Sequence, residues 1–67
     1  MTITLNGVAN SDFVQPLNVV ELLDSLGLGS KPVIVELDGV ALLPREYSER
    51  TVAEGAVVEI VRVAAGG

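Results

Sequence analysis

The sequence predicts an α+β domain in which a mixed sheet of four to five strands packs on one helix. Apolar and polar residues alternate over the first five positions, which is typical of a half-buried strand. The apolar spacing then changes to three and four residues between Val19 and Leu26, as in an amphipathic helix. Three further runs of β-branched and aliphatic residues follow position 32, and turn dipeptides separate them.

The first two strands are expected to form a hairpin. The first strand begins at Met1 and is followed by Asn6-Gly7, the dipeptide that most readily supplies the positive φ angles of a tight turn. A second strand should return through about Ala9 to Val14 and carry the aromatic ring of Phe13 into the core.

A helix of about two turns is predicted next. Asn18 is a suitable N-cap, and Glu21, three residues later, can complete a capping box. Gly27 is predicted to end the helix, because glycine readily adopts the left-handed backbone conformation that is common just after a helix. The apolar stripe of this helix consists of Val19, Leu22, Leu23 and Leu26.

Residues 33–37 and 40–43 are predicted to form a second hairpin. The first of these runs is nearly continuous in apolarity, which is typical of a strand inside a sheet. Asp38-Gly39 provides the tight turn, and Pro44 ends the second run because proline cannot donate a hydrogen bond to a ladder.

The remaining segment leads to the last strand. A polar stretch after Pro44 is expected to contain a turn or a short 3₁₀ helix, with Tyr47 as its anchor. Glu54-Gly55 marks a final turn, and residues 56–63 are the strongest strand signal in the chain.

The predicted elements follow the order β-β-α-β-β-β. In such a sheet the first and last strands can pair in parallel at the centre through a right-handed crossover. This arrangement is the β-grasp, or ubiquitin-like, fold. We expect a β-grasp domain over residues 1–63 and a flexible C-terminal tail over residues 64–67.

The composition excludes several classes of function. The 67 residues include neither cysteine nor histidine, which excludes disulfides, the usual zinc sites and His-dependent catalysis. A net charge of −5 disfavours nucleic-acid binding, and the scattered carboxylates are typical of a solvated surface rather than of acid–base catalysis. No bilayer-spanning stretch or signal peptide is recognised, so we expect a cytoplasmic protein without membrane contact.

The most distinctive segment is the end of the sequence, Val63-Ala64-Ala65-Gly66-Gly67. Glycines without Cβ atoms let such a tail thread a narrow channel, and four residues can extend about 13 Å. An α-carboxylate is ionised at pH 7, with a pKa of about 3.3–3.7, and is an adequate nucleophile toward the α-phosphate of ATP. The alternative interpretation is an incidental chain end, because termini tolerate most sequences.

Motifs along the whole chain resemble one known family. They are a strand and Asp-Gly turn at 33–39, Leu-Pro-Arg at 43–45 with the nearby Tyr47, an apolar strand before Gly-Gly at 66–67, and Asn-Gly at 6–7 ahead of the helix. This pattern resembles the ThiS family, the ubiquitin-like sulfur carrier proteins of thiamine biosynthesis, at the family's usual length.

Two substitutions and two loop lengths depart from the family pattern. Asp38 stands where asparagine is usual, and Ala56 stands where aspartate is common. The interval from Gly39 to Pro44 is one residue longer than is typical, and that from Pro44 to Gly55 is one residue shorter. These departures concern a surface hairpin and leave the tail unchanged.

The resemblance implies a protein that is a substrate of its partners rather than an enzyme. An adenylyltransferase related to ubiquitin-activating enzymes would use ATP and Mg to convert the Gly67 carboxylate to an acyl-adenylate. Sulfur from a cysteine-derived persulfide would replace AMP, and thiazole synthase would accept sulfur from the resulting thiocarboxylate. Ala64, Ala65 and Gly66 would thread the partner's cleft, and the carrier itself would bind no cofactor or metal.

A partner enzyme must also contact the folded body. Val58 and Ile60 are assigned to the core, because the helix covers only one face of the sheet. Glu59, Val61 and Val63 would then lie on the other face beside the tail and form a docking surface. The alternative is that these valines are strand formers exposed by chance.

Other functions share the fold and the tail. A carrier for molybdopterin or for another sulfur-containing metabolite would use the same donor chemistry with a different acceptor enzyme. A ubiquitin-like modifier would instead be joined to lysines, and a plain β-grasp interaction module would leave the tail unused. Intact mass separates carriers from modifiers, and the sequence does not name the acceptor.

Overall fold

The computed structural model describes residues 1–64, in which one five-stranded sheet and one α-helix form a single body. The elements in chain order are β1 (Ile3–Leu5), β2 (Val8–Asn10), β3 (Leu17–Asn18), α1 (Val19–Ser25), β4 (Val33–Leu37), β5 (Val40–Leu42), a 3₁₀ helix (Pro44–Glu46), β6 (Thr51–Val52) and β7 (Val57–Arg62). No helix within residues 1–64 is long and apolar enough to cross a membrane.

The main sheet has the strand order β2-β1-β7-β4-β5. β1 and β7, the first and last strands, pair in parallel at its centre, and every other pair in it is antiparallel. This mixed sheet confirms the predicted β-grasp topology. β3 and β6 form a separate antiparallel pair of two residues each, which the sequence pattern did not indicate.

Both hairpins turn where the sequence predicts. Asn6 and Asp38 have φ angles of 49° and 51°, and the glycines after them have φ angles of 82° and 84°. Two successive positive φ angles match the right-handed twist of the flanking strands, and Asn-Gly and Asp-Gly adopt them at low cost. The two turns therefore set the register of both hairpins.

The helix begins with the predicted capping box. The Glu21 N–H donates to Asn18 Oδ1, and the Asn18 N–H donates to Glu21 Oε1, each at 2.8 Å. These bonds satisfy two N–H groups that have no partner inside the helix. The helix buries its apolar stripe against the sheet, with Val19 and Leu22 completely inaccessible to solvent.

The core is aliphatic, as the composition requires. Tyr47 is its one buried aromatic residue in the part of the chain that the structure describes, and Phe13 is half-buried and packs against the core from its edge. The buried set is Ile3, Val19, Leu22, Leu23, Val35, Leu37, Leu42, Tyr47, Val52, Ala56, Val58 and Ile60.

The predicted second strand, Ala9 to Val14, is too long and begins one residue late. β2 ends at Asn10, whose Oδ1 accepts a hydrogen bond from the Asp12 N–H at 2.9 Å. This side-chain bond turns the backbone away from the ladder, as asparagine commonly does. The chain then crosses the surface, and the Val14 side chain is 88% exposed.

Candidate functional site at the end of the last strand

The structure describes the base of the predicted tail. β7 ends at Arg62, the Val63 N–H donates to the Pro32 carbonyl oxygen at 2.9 Å, and Ala64 is exposed. The predicted site residues Ala65, Gly66 and Gly67 lie outside the described residues. The boundary between domain and tail at residues 63 and 64 stays a prediction.

Turn residues fix β7 at both ends. Near its start, the Val57 N–H donates to Asp38 Oδ1 at 2.8 Å, and the Asp38 N–H donates to the Val57 carbonyl oxygen at 2.7 Å. Near its end, the Ile60 N–H donates to Asn6 Oδ1 at 2.7 Å, and Asn6 Nδ2 donates to the Ile60 carbonyl oxygen at 3.3 Å. The strand that leads to the tail is thus held by both hairpin turns as well as by β1 and β4.

Buried and exposed side chains alternate along β7, as the sequence predicts. Val58 and Ile60 are buried against the helix side of the sheet. Glu59 is exposed on the opposite face, where Val61 is 58% exposed. A large apolar side chain at this exposure, three residues before the end of the described chain, is a candidate contact for a partner.

The structure brings two further residues to this face that the sequence analysis did not single out. In the antiparallel register, Ile34 lies opposite Val61 and Glu36 lies opposite Glu59. Residues directly opposite in an antiparallel pair share a face, with Cβ atoms about 4.5–5.5 Å apart. We define the outer patch as these four residues, Ile34, Glu36, Glu59 and Val61. Ile34 is 51% exposed, and Glu36 is also exposed.

The signal for Ile34 and Glu36 was present in the sequence. The near-continuous apolarity of residues 33–37 predicts a strand inside the sheet. β4 does pair on both sides, but only its alternate residues Val33, Val35 and Leu37 point to the core, whereas Ile34 and Glu36 face solvent. The single glutamate in this run indicates one exposed face.

Val63, which the alternation predicts on the outer face with Val61, is 46% exposed and lines a groove together with the helix residues Val20 and Leu23. The groove has a volume of about 480 Å³ and runs between the helix and the tail end of the sheet. Its apolar lining consists of Val20, Leu23, Pro32, Val33, Pro44, Tyr47 and Val63. The backbone carbonyl of Tyr47 also accepts from the Val19 N–H at 3.1 Å, so the predicted anchor fixes the segment after β5 to the start of the helix.

The carboxylate with a shifted pKa lies away from the outer patch. The Leu43 N–H donates to Glu46 Oε1 at 2.8 Å, and this bond, with a smaller contribution from Arg50, lowers the pKa of Glu46 below its ordinary value of 4.5. The Arg50–Glu46 contact at 3.4 Å is the one ion pair found in residues 1–64. The same residues hold no group of three or more potential metal ligands.

Known proteins of similar sequence and structure identify the family. The sequence model of the ThiS family matches residues 3–67. The crystal structure of a thiamine biosynthesis protein (ThiS) from Geobacter metallireducens has a TM-score of 0.85 and 36% sequence identity, with both chains covered completely. An NMR structure of a thiamine biosynthesis protein from the same organism has a TM-score of 0.82 at 36% identity, and the match covers 88% of its chain and all of this one.

The comparison with curated proteins finds no significant match. The family match and the full-length structural relatives nevertheless agree with each other and with the observed sheet order. The chain belongs to the ThiS family.

Proposed function

We propose that this protein is a sulfur carrier in thiamine biosynthesis and that its working group is the Gly67 carboxylate. The observation that carries the proposal is the family match over residues 3–67, which includes the Gly66-Gly67 end. The solved relatives are described as thiamine biosynthesis proteins, which supports the same pathway here. The proposal requires that the mature polypeptide ends at Gly67.

The chemistry takes place on the carboxyl carbon of Gly67. A carboxylate oxygen attacks the α-phosphorus of ATP, pyrophosphate leaves, and an acyl-adenylate forms. The terminal sulfur of a cysteine persulfide then attacks the acyl carbon and AMP leaves. The product is an acyl disulfide with the donor cysteine. A thiol attacks the cysteine sulfur, forms a new disulfide with it and releases the thiocarboxylate, whose sulfur thiazole synthase accepts.

The chain's own contribution is positional. No side chain of the carrier takes part in these steps, since adenylation and sulfur transfer are carried out by an adenylyltransferase with Mg-ATP and by a persulfide donor. The hydrogen-bonded end of β7 holds the base of the tail at a fixed place on the body. Ala64, Ala65 and Gly66 present little or no side chain, so Gly67 can enter a narrow cleft about 13 Å from the domain.

Docking of the body complements insertion of the tail. Val61 and Glu59 are exposed beside it, and Val63 lines the adjoining groove. A partner that contacts these residues can bind the carrier with a stable orientation while the tail reaches the catalytic groups. Such contacts convert a bimolecular encounter into an oriented reaction of a bound carboxylate.

The test is adenylation by the ubiquitin-activating-like adenylyltransferase of the same organism. The carrier should support exchange of labelled pyrophosphate into ATP, and a persulfide donor should then raise its intact mass by the exchange of one oxygen for sulfur. A variant without Gly66 and Gly67 should unfold at the same urea concentration as the parent yet support no exchange. Exchange that persists in this variant contradicts the role of Gly67.

The final acceptor is tested in the same material. Transfer of sulfur from the thiocarboxylate to thiazole synthase supports the thiamine carrier. Transfer only to the enzyme of molybdopterin or another sulfur-containing metabolite would reassign the pathway. Conjugates on lysines would indicate a modifier, and an intact mass that exceeds the 67-residue chain would place the working terminus elsewhere.

A further inference from the structure

Backbone pairing extends further along one edge of β7 than along the other. On the edge that faces β4, the register pairs continue to Arg62, and the Val63 N–H then donates to the Pro32 carbonyl oxygen at 2.9 Å. On the edge that faces β1, the register pairs end with Leu5 and Val58. These two ladders therefore leave the last residues of β7, which lead to the tail, paired along a single edge.

The carboxamide of Asn6 supplies hydrogen bonds on the second edge. Its Oδ1 accepts from the Ile60 N–H at 2.7 Å, and its Nδ2 donates to the Ile60 carbonyl oxygen at 3.3 Å. A strand that is bonded along one edge can pivot about that edge, whereas bonds on both edges fix the orientation of its peptide groups. Asn6 thus fixes the chain at Ile60, beyond the last register pair with β1.

The other hairpin turn holds the start of β7 with different chemistry. Asp38 Oδ1 accepts from the Val57 N–H, but the donor to the Val57 carbonyl oxygen is the backbone N–H of Asp38. A carboxylate meets this demand, because its oxygens only need to accept. The Asn6 side chain must both accept and donate, which an amide does and a carboxylate does not. The two turns therefore differ in chemistry as well as in distance from the tail.

The orientation of Ile60 affects the place of the tail's base. An extended chain rises about 3.3 Å per residue, so Ala64 lies up to about 13 Å beyond Ile60, and a rotation of about 10° would displace it by about 2 Å. A misplacement of about 1 Å can cost about 10²-fold in rate. Loss of the Asp38 bond to Val57 would leave the later part of β7 bonded along both edges, so it should not displace Ala64.

We infer that Asn6 is a positioning residue for the tail. Its carboxamide bonds Ile60 along the β1 edge and so fixes the direction from which the Gly67 carboxylate reaches the reacting groups of a partner. This inference rests on the proposed function, in which Gly67 is the group that reacts. Asn6 then affects the reaction of the bound carrier rather than its binding, because the folded body that a partner contacts is kept when this side chain is removed.

The experiment compares two glycine variants that retain the turns. Asn6→Gly removes both side-chain bonds to Ile60, and Asp38→Gly removes the side-chain bond to Val57 at the far end of the strand. Glycine adopts the positive φ angle of both sites without strain. Calorimetric titration of the adenylyltransferase without ATP gives the dissociation constant, and exchange of labelled pyrophosphate into ATP at saturating carrier gives kcat.

Amide hydrogen exchange, followed by NMR on the free carrier, measures the same effect without the partner. The Val63 N–H reports opening at the base of the tail, and the N–H of the buried residue Val35 in β4 reports opening of the whole domain. The ratio of the two exchange rates therefore corrects for a general loss of stability.

We expect Asn6→Gly to lower kcat about three- to tenfold while its dissociation constant stays within about twofold of the parent's. Asp38→Gly should keep both quantities within about twofold of the parent's. The exchange rate of Val63 relative to Val35 should rise about fivefold or more in Asn6→Gly and stay at the parental value in Asp38→Gly.

A second pair of variants applies if Asn6→Gly does not fold. Asn6→Asp retains the acceptor for the Ile60 N–H and loses the donor to the Ile60 carbonyl oxygen. Asn18→Asp makes the same exchange of amide for carboxylate at the helix N-cap, where aspartate caps as well as asparagine. Asn6→Asp should lower kcat about two- to fivefold, and Asn18→Asp should leave it unchanged.

The outcomes separate this inference from the proposed function. Equal kcat values for Asn6→Gly and Asp38→Gly, or an equal relative exchange rate at Val63, would overturn the inference while adenylation stood. A weaker affinity of Asn6→Gly at an unchanged kcat would also overturn it, because Asn6 would then act in docking. Faster relative exchange at Val63 in Asn6→Gly alone, in a carrier that supports no pyrophosphate exchange, would uphold the role of Asn6 at the tail's base and contradict the proposed function.

Discussion

The side-chain amide of Asn6 pairs with the backbone of Ile60 as a neighbouring strand would. Its Oδ1 accepts from the Ile60 N–H at 2.7 Å, and its Nδ2 donates to the Ile60 carbonyl oxygen at 3.3 Å. The parallel β1–β7 ladder is already ending here, with the Asn6 N–H bonded to the Val58 carbonyl oxygen at 2.9 Å. One turn residue thus extends the ladder toward the tail.

Asn6→Gly should lower the free energy of unfolding by about 1–3 kcal/mol, because two hydrogen bonds to Ile60 are lost while the turn geometry is retained. Asn6→Ala should cost about 1 kcal/mol more, since alanine tolerates the positive φ angle poorly. Urea denaturation measures both. If Asn6→Gly unfolds at the parental urea concentration, the side-chain bonds carry no stability.

Asp38→Asn should change the stability by less than about 0.5 kcal/mol, because asparagine supplies the same Oδ1 acceptor for the Val57 N–H. Asp38→Gly should lower the free energy of unfolding by about 1 kcal/mol, since it keeps the turn geometry and removes only the hydrogen-bond acceptor. The same urea titrations compare the two variants. A large loss in Asp38→Asn would show that the charge, rather than the acceptor, matters.

The stabilising contribution of Glu46 should depend on pH. Its pKa is lowered in the folded protein, chiefly by the bond from the Leu43 N–H. A lowered pKa means that ionised Glu46 stabilises the fold above the unfolded-state pKa, and that this contribution is lost as pH falls through the folded-state pKa. The free energy of unfolding of Glu46→Gln should therefore be lower than that of the parent by a constant amount between pH 5 and 7.

Below about pH 4.5 the difference in the free energy of unfolding between Glu46→Gln and the parent should shrink. Glu46 of the parent becomes protonated there and loses its contribution, whereas glutamine does not titrate. Thermal unfolding of both proteins across pH 3–7 measures the change. Glu49→Gln serves as the control, since Glu49 is exposed in the same segment. A difference that grows with acidification would reverse the direction assigned to the pKa of Glu46.

Removal of either carboxylate of the Glu36–Glu59 pair should stabilise the free protein. Glu59→Gln is expected to raise the free energy of unfolding by a few tenths to about 1 kcal/mol at low salt, because it removes one of two like charges on directly opposite residues. The gain should fall as salt screens the parental repulsion. Denaturation at low and high ionic strength checks both effects, and destabilisation by Glu59→Gln would contradict the repulsion.

The elements of this fold follow from local sequence patterns. The Asn6-Gly7 and Asp38-Gly39 turns, the capping box at Asn18 and the strand alternation in residues 57–62 each depend on near neighbours. Hydrophobic periodicity and turn chemistry express such constraints directly. The helix, the five strands of the main sheet, their order and the buried face of β7 could therefore be predicted.

The missed features depend on contacts between distant residues. β3 and β6 are two residues long and exist only because Leu17 pairs with Val52, a partner far along the chain. The early end of β2 depends on whether the Asn10 side chain accepts a hydrogen bond from the Asp12 N–H or the backbone continues in the ladder. Local propensity does not decide between these outcomes.

The sequence by itself determined an aliphatic β-grasp domain followed by a segment that contains Gly66-Gly67, because periodicity, turn dipeptides and composition are all local quantities. Only the tertiary structure placed Glu36 opposite Glu59 and Ile34 opposite Val61. Those pairs join residues more than twenty positions apart, and their register is set by the burial of Val35, Leu37, Val58 and Ile60 against one helix. Burial of one face leaves the other to solvent, and on this sheet the exposed face combines charge repulsion with an apolar surface.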